Sequence, residues 1–280
     1  MQPKEFYEQE NLSPITYKYS NVVEVFSCIS PIQKIQVLAH PFFIKILVLD
    51  GVVQLTEKDE FFYHEMLTHV PLMAHPQPER ILILGGGDGG TLREVLKYDT
   101  VKTVTIVEID PEVVSTAKRF FPNIAKGFND PRTCVVHMDG CEYIEGLKNE
   151  FDVIIIDGPD PVGPAQNLLA PQTLSFAKTA LRQNGIFAAQ TESLHFHREH
   201  IIKTQKSLIE LFKFVDLYTQ AISTYPGSWW SFSIASMMIN PRAVRRCLEI
   251  PTRYYSSEVH NSSFFPPKSL KKLLNGELDW

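Results

Sequence analysis

Cysteine is scarce. The 280-residue chain has four, Cys28, Cys134, Cys141 and Cys247, and no two of them form a Cys-x-x-Cys pair. A chain of this length can build a core without disulfide staples, and unpaired spacing weighs against a zinc site. Four buried or half-buried thiols in a reducing compartment are expected instead. Long apolar runs are also missing. None approaches the roughly 18 residues that a membrane span needs. The opening MQPKEFYEQENL carries both signs of charge and no apolar centre, unlike a secretory signal. A cytoplasmic protein without a membrane partner is therefore expected. Basic charge is not in excess either: 27 Lys+Arg stand against 32 Asp+Glu, a net charge of −5. A nonspecific nucleic-acid binder needs a basic footprint, so no nucleic-acid partner is expected. There is no internal repeat and no low-complexity tract.

What is present is an ordinary globular mixture, 44% hydrophobic and 11% aromatic, at a length that suits about two domains. The first 60 residues hold β-like segments at 21–26, 34–38 and 43–49. Asp50-Gly51 then reads as a hairpin turn leading into Val52–Leu55. The spacing of Phe62, Met66, Leu67 and Val70 predicts a helix, ended by His75-Pro-Gln-Pro78. Apolar strands then alternate with helical runs: 80–84, 103–107, 133–136, 151–156 and 185–189 for the strands, with 90–97 and 111–120 among the helices. That alternation predicts a parallel sheet covered on both faces. The expected fold is α/β: a small antiparallel β-domain over 1–60, then an α/β domain over 61–280.

The chemistry concentrates after the first parallel strand, in Gly85-Gly86-Gly87-Asp88-Gly89-Gly90. Glycines there let the backbone turn tightly and lie against a ligand, at the nucleoside-binding corner of doubly wound folds. Glu108 closes the next strand 18 residues beyond Gly90, where an acid can accept from both ribose hydroxyls. Asp110, just before Pro111, reads as a helix cap. Asp88 inside the loop would repel a pyrophosphate, which disfavours a dinucleotide and favours a cationic ligand such as a sulfonium or ammonium.

Further acids fall near other strand ends. Asp139 and Gly140 follow one strand, with Asp139 placed to accept from an adenine amino group. Asp157 and Asp160 begin the segment DGPDPVGPA (157–165). Ligands of open α/β sheets bind at the carboxyl ends of strands, so these acids are expected to converge on one crevice. A loop with two carboxylates three residues apart can hold an ammonium, accept its proton and close as a lid.

These residues resemble the spermidine synthases, the polyamine aminopropyltransferase family, over essentially the whole chain. The resemblance rests on LDGVVQLTEKDEFFYHEM (49–66), GGGDGGTLREVLKY (85–98), VEID (107–110), DGPDPVGPA, STYP (223–226) and RYYSSEVHNSSFFPP (253–267). It implies an N-terminal β-domain (1–60) before a Rossmann-like catalytic domain of the S-adenosylmethionine type (61–280), and transfer of aminopropyl from decarboxylated S-adenosylmethionine, a co-substrate, to a diamine, typically putrescine. It implies no cofactor, no metal, and a homodimer or homotetramer. Carried over by motif, Gln33, Glu108, Asp139, Gly140 and Pro164 would contact the nucleoside. Gln54, Tyr63, His64, Asp88, Asp157, Asp160 and Tyr225 would line the aminopropyl and acceptor channel, with Asp157 the proton acceptor.

The chain departs from the family pattern mainly at the acceptor end. Gly158-Pro159 replaces the usual Ser-Ser, Gln166 a glutamate, Thr191 and His195 the usual glycine and tryptophan, Gly227-Ser-Trp-Trp-Ser231 a glycine-rich stretch, and Phe6 an N-terminal tryptophan. Agmatine, cadaverine or a longer polyamine is therefore the first alternative acceptor. A methyltransferase and a silent polyamine-binding protein are the competing classes. Trp229 and Trp230 read as acceptor-pocket or packing residues, HFHREH (195–200) as a helix start or channel rim, and Lys268, Lys271 and Lys272 as a solvated helix face.

Overall fold

The computed structural model describes residues 4–10, 12–158, 167–246 and 250–278. The first sheet is antiparallel, in the order β1 (Lys4–Gln9), β2 (Thr16–Ile29), β3 (Lys34–His40), β4 (Ile44–Leu49), β5 (Val52–Thr56). Strand alternation splits its apolar residues between two faces. Ile35, Val37, Leu47 and Leu55 pack with Val113 and Phe121, while Leu38, Ile46, Val48 and Val53 pack with Tyr19 and Val22. The predicted turn forms: Asp50 and Gly51 both take positive φ, 48° and 87°, as a two-residue hairpin loop requires. β1 escaped the sequence reading because five of its six residues carry a polar group.

The second sheet runs β11 (Phe214–Ala221), β12 (Trp229–Ser236), β10 (Leu181–Ser193), β9 (Phe151–Asp157), β6 (Arg80–Gly85), β7 (Thr103–Val107), β8 (Thr133–Val136). The five strands from β10 to β8 are parallel, as expected. The sheet as a whole is mixed, through two strands the sequence reading did not include: β12 is antiparallel to both β10 and β11. The physical reason is the connection. Only residues 222–228 join β11 to β12, whereas a parallel crossover needs about a dozen residues or more.

Helices cover both faces. Ile81 and Ile83 of β6 pack with Met66, Leu67 and Val70 of α1 (Glu60–Ala74) and Leu92 of α2 (Gly90–Val95). Leu82 and Leu84 face the other way, with Leu174 of α5 (Pro171–Ala180) and Leu208 of α6 (Arg198–Leu211). Burial on both faces is why these strands read as unbroken apolar runs. α3 (Pro111–Phe120) follows β7, capped by Asp110 as expected. α4 (Gly140–Ile144) follows β8, and α7 (Ser257–Ser263) and α8 (Pro267–Leu274) close the chain, with Lys268, Lys271 and Lys272 exposed. The thiols differ from expectation in one case. Cys28 and Cys141 are half-buried, but Cys134 is exposed on the edge strand β8; Cys247 lies outside the described residues.

α1 is the central support, buried nearly all round. Its Glu65 is fully enclosed and accepts three backbone N–H groups, from Arg253 at 2.7 Å and from Tyr254 and Tyr255 at 2.8 Å each. A carboxylate suits three donors; an amide turns one acceptor into a donor. Glu65→Gln should therefore cost about 2–3 kcal/mol, read as a lower denaturant midpoint with an unchanged slope.

Candidate active site

The site forms where β6 and β9 end side by side, at the point where the chain leaves β6 toward β7 on one side and β9 lies on the other. The glycine loop is held by Asp157: Gly86 N–H donates to its backbone carbonyl at 2.8 Å. Two positions show why side chains are excluded. Gly86 has φ +72°, and a Cβ there would meet the Asp157 carboxylate at 2.9 Å. A Cβ on Gly90 would lie 2.2 Å from Cε1 of His64.

One cavity of about 280 Å³ gathers most of the expected residues. Gln33, Gly85, Gly87, Glu108, Asp139 and Gly140 line it, as do Gln54, Tyr63, His64, Asp88, Asp157 and Tyr225. Gly86 also lines it. Gly89 and Gly90 shape the loop behind this wall: Gly89 takes φ +84° just before α2, and Gly90 begins that helix. Asp160 and Pro164, with most of the expected lid, lie outside the described residues. Among the described residues no lysine or arginine lines the cavity.

At the catalytic end, Asp157 is 7% exposed. Its Oδ1 accepts from the Tyr63 hydroxyl at 2.6 Å, and the Thr91 side chain also favours its ionised form. Burial, and then the charge of Asp88, raise its pKa above the usual carboxylate range. His64, 1% exposed, stands between two acids: Nδ1 is 2.6 Å from Glu60 and Nε2 is 3.2 Å from Asp88. Burial alone would lower its pKa, but Asp88 and Glu60 overcome that and carry it up to about 10. Burial resists ionisation of Asp88, yet His64 holds that carboxyl below its ordinary value. The Tyr225 hydroxyl donates to the Gln54 carbonyl at 2.6 Å, and its ring stands 5.7 Å from Tyr63 and 4.6 Å from Trp230. These rings make an apolar wall beside the acids.

At the donor-like end, Glu108 accepts from Gly87 N–H at 3.1 Å and Asp110 N–H at 3.0 Å. Burial still pushes its pKa up to about 7. Asp139 caps α4 by accepting from Cys141 N–H at 2.6 Å. Gln33 donates to Asp110 at 3.0 Å, fastening the N-terminal sheet to the start of α3. His64, Asp88 and Asp157 each offer one atom within 4.8 Å of the others, the one group among the described residues spaced for a metal. Both His64 nitrogens already face carboxylates, so the arrangement suits an ammonium better than a metal ion.

Several cavity residues went unassigned in the sequence. Glu8 accepts from Val53 N–H at 2.8 Å and lines the cavity with Glu10; His197 and Trp230, read as rim and pocket residues, line it too. Gln190 donates to the Gly158 carbonyl at 2.9 Å. The signal for Glu8 and Glu10 was alternation along β1, hidden by its polarity. Trp229 turns away from this wall, toward His195 and Phe265.

Residues 60–244 match the family model of the spermine/spermidine synthase domain. The chain belongs to this family. It is 47% identical over 275 residues to a polyamine aminopropyltransferase of Hydrogenobaculum sp. (strain Y04AAS1), with 98% of each chain covered. It is also 47% identical over 272 residues to polyamine aminopropyltransferase 1 of Aquifex aeolicus (strain VF5), covering 97% of each. A spermidine synthase solved in complex with the transition state analogue AdoDATO superposes with a TM-score of 0.91 at 36% identity, covering 98% of this chain and 97% of that one. Spermidine synthase from Thermotoga maritima gives 0.88 at 35%, covering 98% and 96%.

The contact of Gly90 with His64 yields a test within the family framework. Gly90→Ala should displace the imidazole from between Glu60 and Asp88, at a cost of about 1–3 kcal/mol. A lowered melting temperature together with a changed His64 ring resonance would show it.

Proposed function

We propose that this enzyme moves the aminopropyl group of decarboxylated S-adenosylmethionine to putrescine, giving spermidine and methylthioadenosine. The observation that carries the reading is Asp157, a buried carboxyl bonded to Tyr63 in the wall of a cavity with no lysine or arginine among its described lining residues. An amine titrates near a pKa of about 10, as lysine does, and reaches the site protonated. Asp157 takes the proton, held in place by Tyr63. The freed nitrogen lone pair forms a bond to the aminopropyl carbon; the carbon–sulfur bond breaks, and its electron pair stays on sulfur as a neutral thioether. Alignment supplies much of the rate, since the leaving group is already good.

Gln33, Glu108, Asp139, Gly140 and Pro164 are assigned to the nucleoside. Gln54, Tyr63, His64, Asp88, Asp160 and Tyr225 are assigned to the amines and aminopropyl chain. Asp88 disfavours the carboxylate of the full donor, which separates this reading from methyl transfer. Neither metal nor cofactor enters the scheme, and a cytoplasmic homodimer or homotetramer is the form assigned to it. Glu8 and Glu10 in the cavity wall favour a second acceptor reading, a longer polyamine whose distal ammonium reaches them.

A product screen with decarboxylated S-adenosylmethionine and a panel of amines tests the acceptor. Putrescine should give the highest turnover, with methylthioadenosine released in step; activity confined to another amine would move the assignment to it. Asp157→Asn should lower turnover by about 100- to 10,000-fold while donor affinity changes little. Unchanged turnover would remove Asp157 as the base.

A further inference from the structure

Both ring nitrogens of His64 point at carboxylates, to Glu60 at 2.6 Å and to Asp88 at 3.2 Å. A carboxylate only accepts, and a neutral imidazole has a single N–H, so a neutral ring would set a lone pair against one of the two acids. Only the imidazolium satisfies both. Glu60 cannot turn aside, because Arg93 holds it with two bonds, Nη1 to Oε1 at 2.9 Å and Nη2 to Oε2 at 2.8 Å. Arg93 is itself fixed from behind by Glu94, 2.8 Å from its Nε, and Glu94 is shared with Lys97 and His69. Charge therefore alternates along Arg93, Glu60, His64 and Asp88. Asp157, on β9, stands at the end of the row.

We propose that Glu60 and Arg93 are positioning residues that hold His64 as a lasting imidazolium, and that this cation lets Asp88 and Asp157 be ionised side by side. Two carboxylates in one buried site otherwise share a proton. The groups facing His64 are Glu60 and Tyr63 from its own helix, Asp88 from the glycine loop, Asp157 from β9 and, through Glu60, Arg93 from α2. His64 thus acts on the amine through Asp88 and Asp157. The shift of its pKa to about 10 and that of Glu60 down to about 2 agree with this geometry. The proposal deepens the reading of Asp157 as proton acceptor and rests on it for its effect on rate.

Two measurements test it separately. Ring nitrogen and carbon resonances of His64 in the ligand-free protein should keep the imidazolium signature through pH 8.5; titration near 6.5 would overturn the proposal whatever the enzyme's substrate. In Glu60→Gln, the ring should titrate below pH 8; a ring that stays charged there would overturn the role of Glu60. His64→Gln removes the cation at every pH. Losing it raises the Asp157 pKa, so the acid limb of kcat/KM should move to higher pH by roughly one unit. The deficit against the parent should be about tenfold on that limb and shrink as pH rises. A folded His64→Gln with the same proportional loss at every pH would mark the ring as merely structural and overturn the proposal.

Discussion

Keeping carboxylates charged inside a cavity that no lysine or arginine lines is the constraint on which this site depends. Asp88, Glu108, Asp139 and Asp157 all face that space. Each ionised acid there needs an opposing dipole, proton or cation. The molecule answers differently at the two ends. Glu108 and Asp139 are served by backbone N–H groups at the starts of α3 and α4 and in the glycine loop. Asp88 is served by an imidazole fixed from α1. Asp157 is served by the Tyr63 hydroxyl.

The same constraint joins the two sheets. Asp110 caps α3 and also accepts from Ser30 at 2.6 Å and Gln33 at 3.0 Å, both at the entry to β3. Asp59, just before α1, accepts from Ser223 at 2.9 Å and from Thr224. Tyr225 reaches back to the Gln54 carbonyl. Loops of the second sheet are thus tied to β5 and the β2–β3 turn. The cavity is consequently walled by both sheets, which are tied by bonds between residues as distant as 210 positions.

Much of this was legible in the residue order. Strong apolar runs, the glycine loop and acids at strand ends place the parallel strands and the donor-like corner, because these features are local and period-bound. The reversed β12 was not legible, since apolar content is alike in parallel and antiparallel buried strands; the short 222–228 connection was the available clue. β1 was hidden by its polar residues, and with it Glu8 and Glu10. Glu60 and Arg93 stood inside quoted motifs without a role, because their partners come from separate elements.

The residue order by itself determined where charge and flexibility lie: a glycine loop carrying one aspartate, acids after successive strands, and a Tyr-His pair on a helix. Those are properties of adjacent residues and of strand and helix periods. Tertiary structure alone decided which charges meet. His64 becomes a bridge between Glu60 and Asp88 only because Gly90 has no side chain and the start of α2 can press against the ring. Through-space electrostatics in a buried cavity depends on distances between separate elements, and no local pattern in the chain encodes those distances.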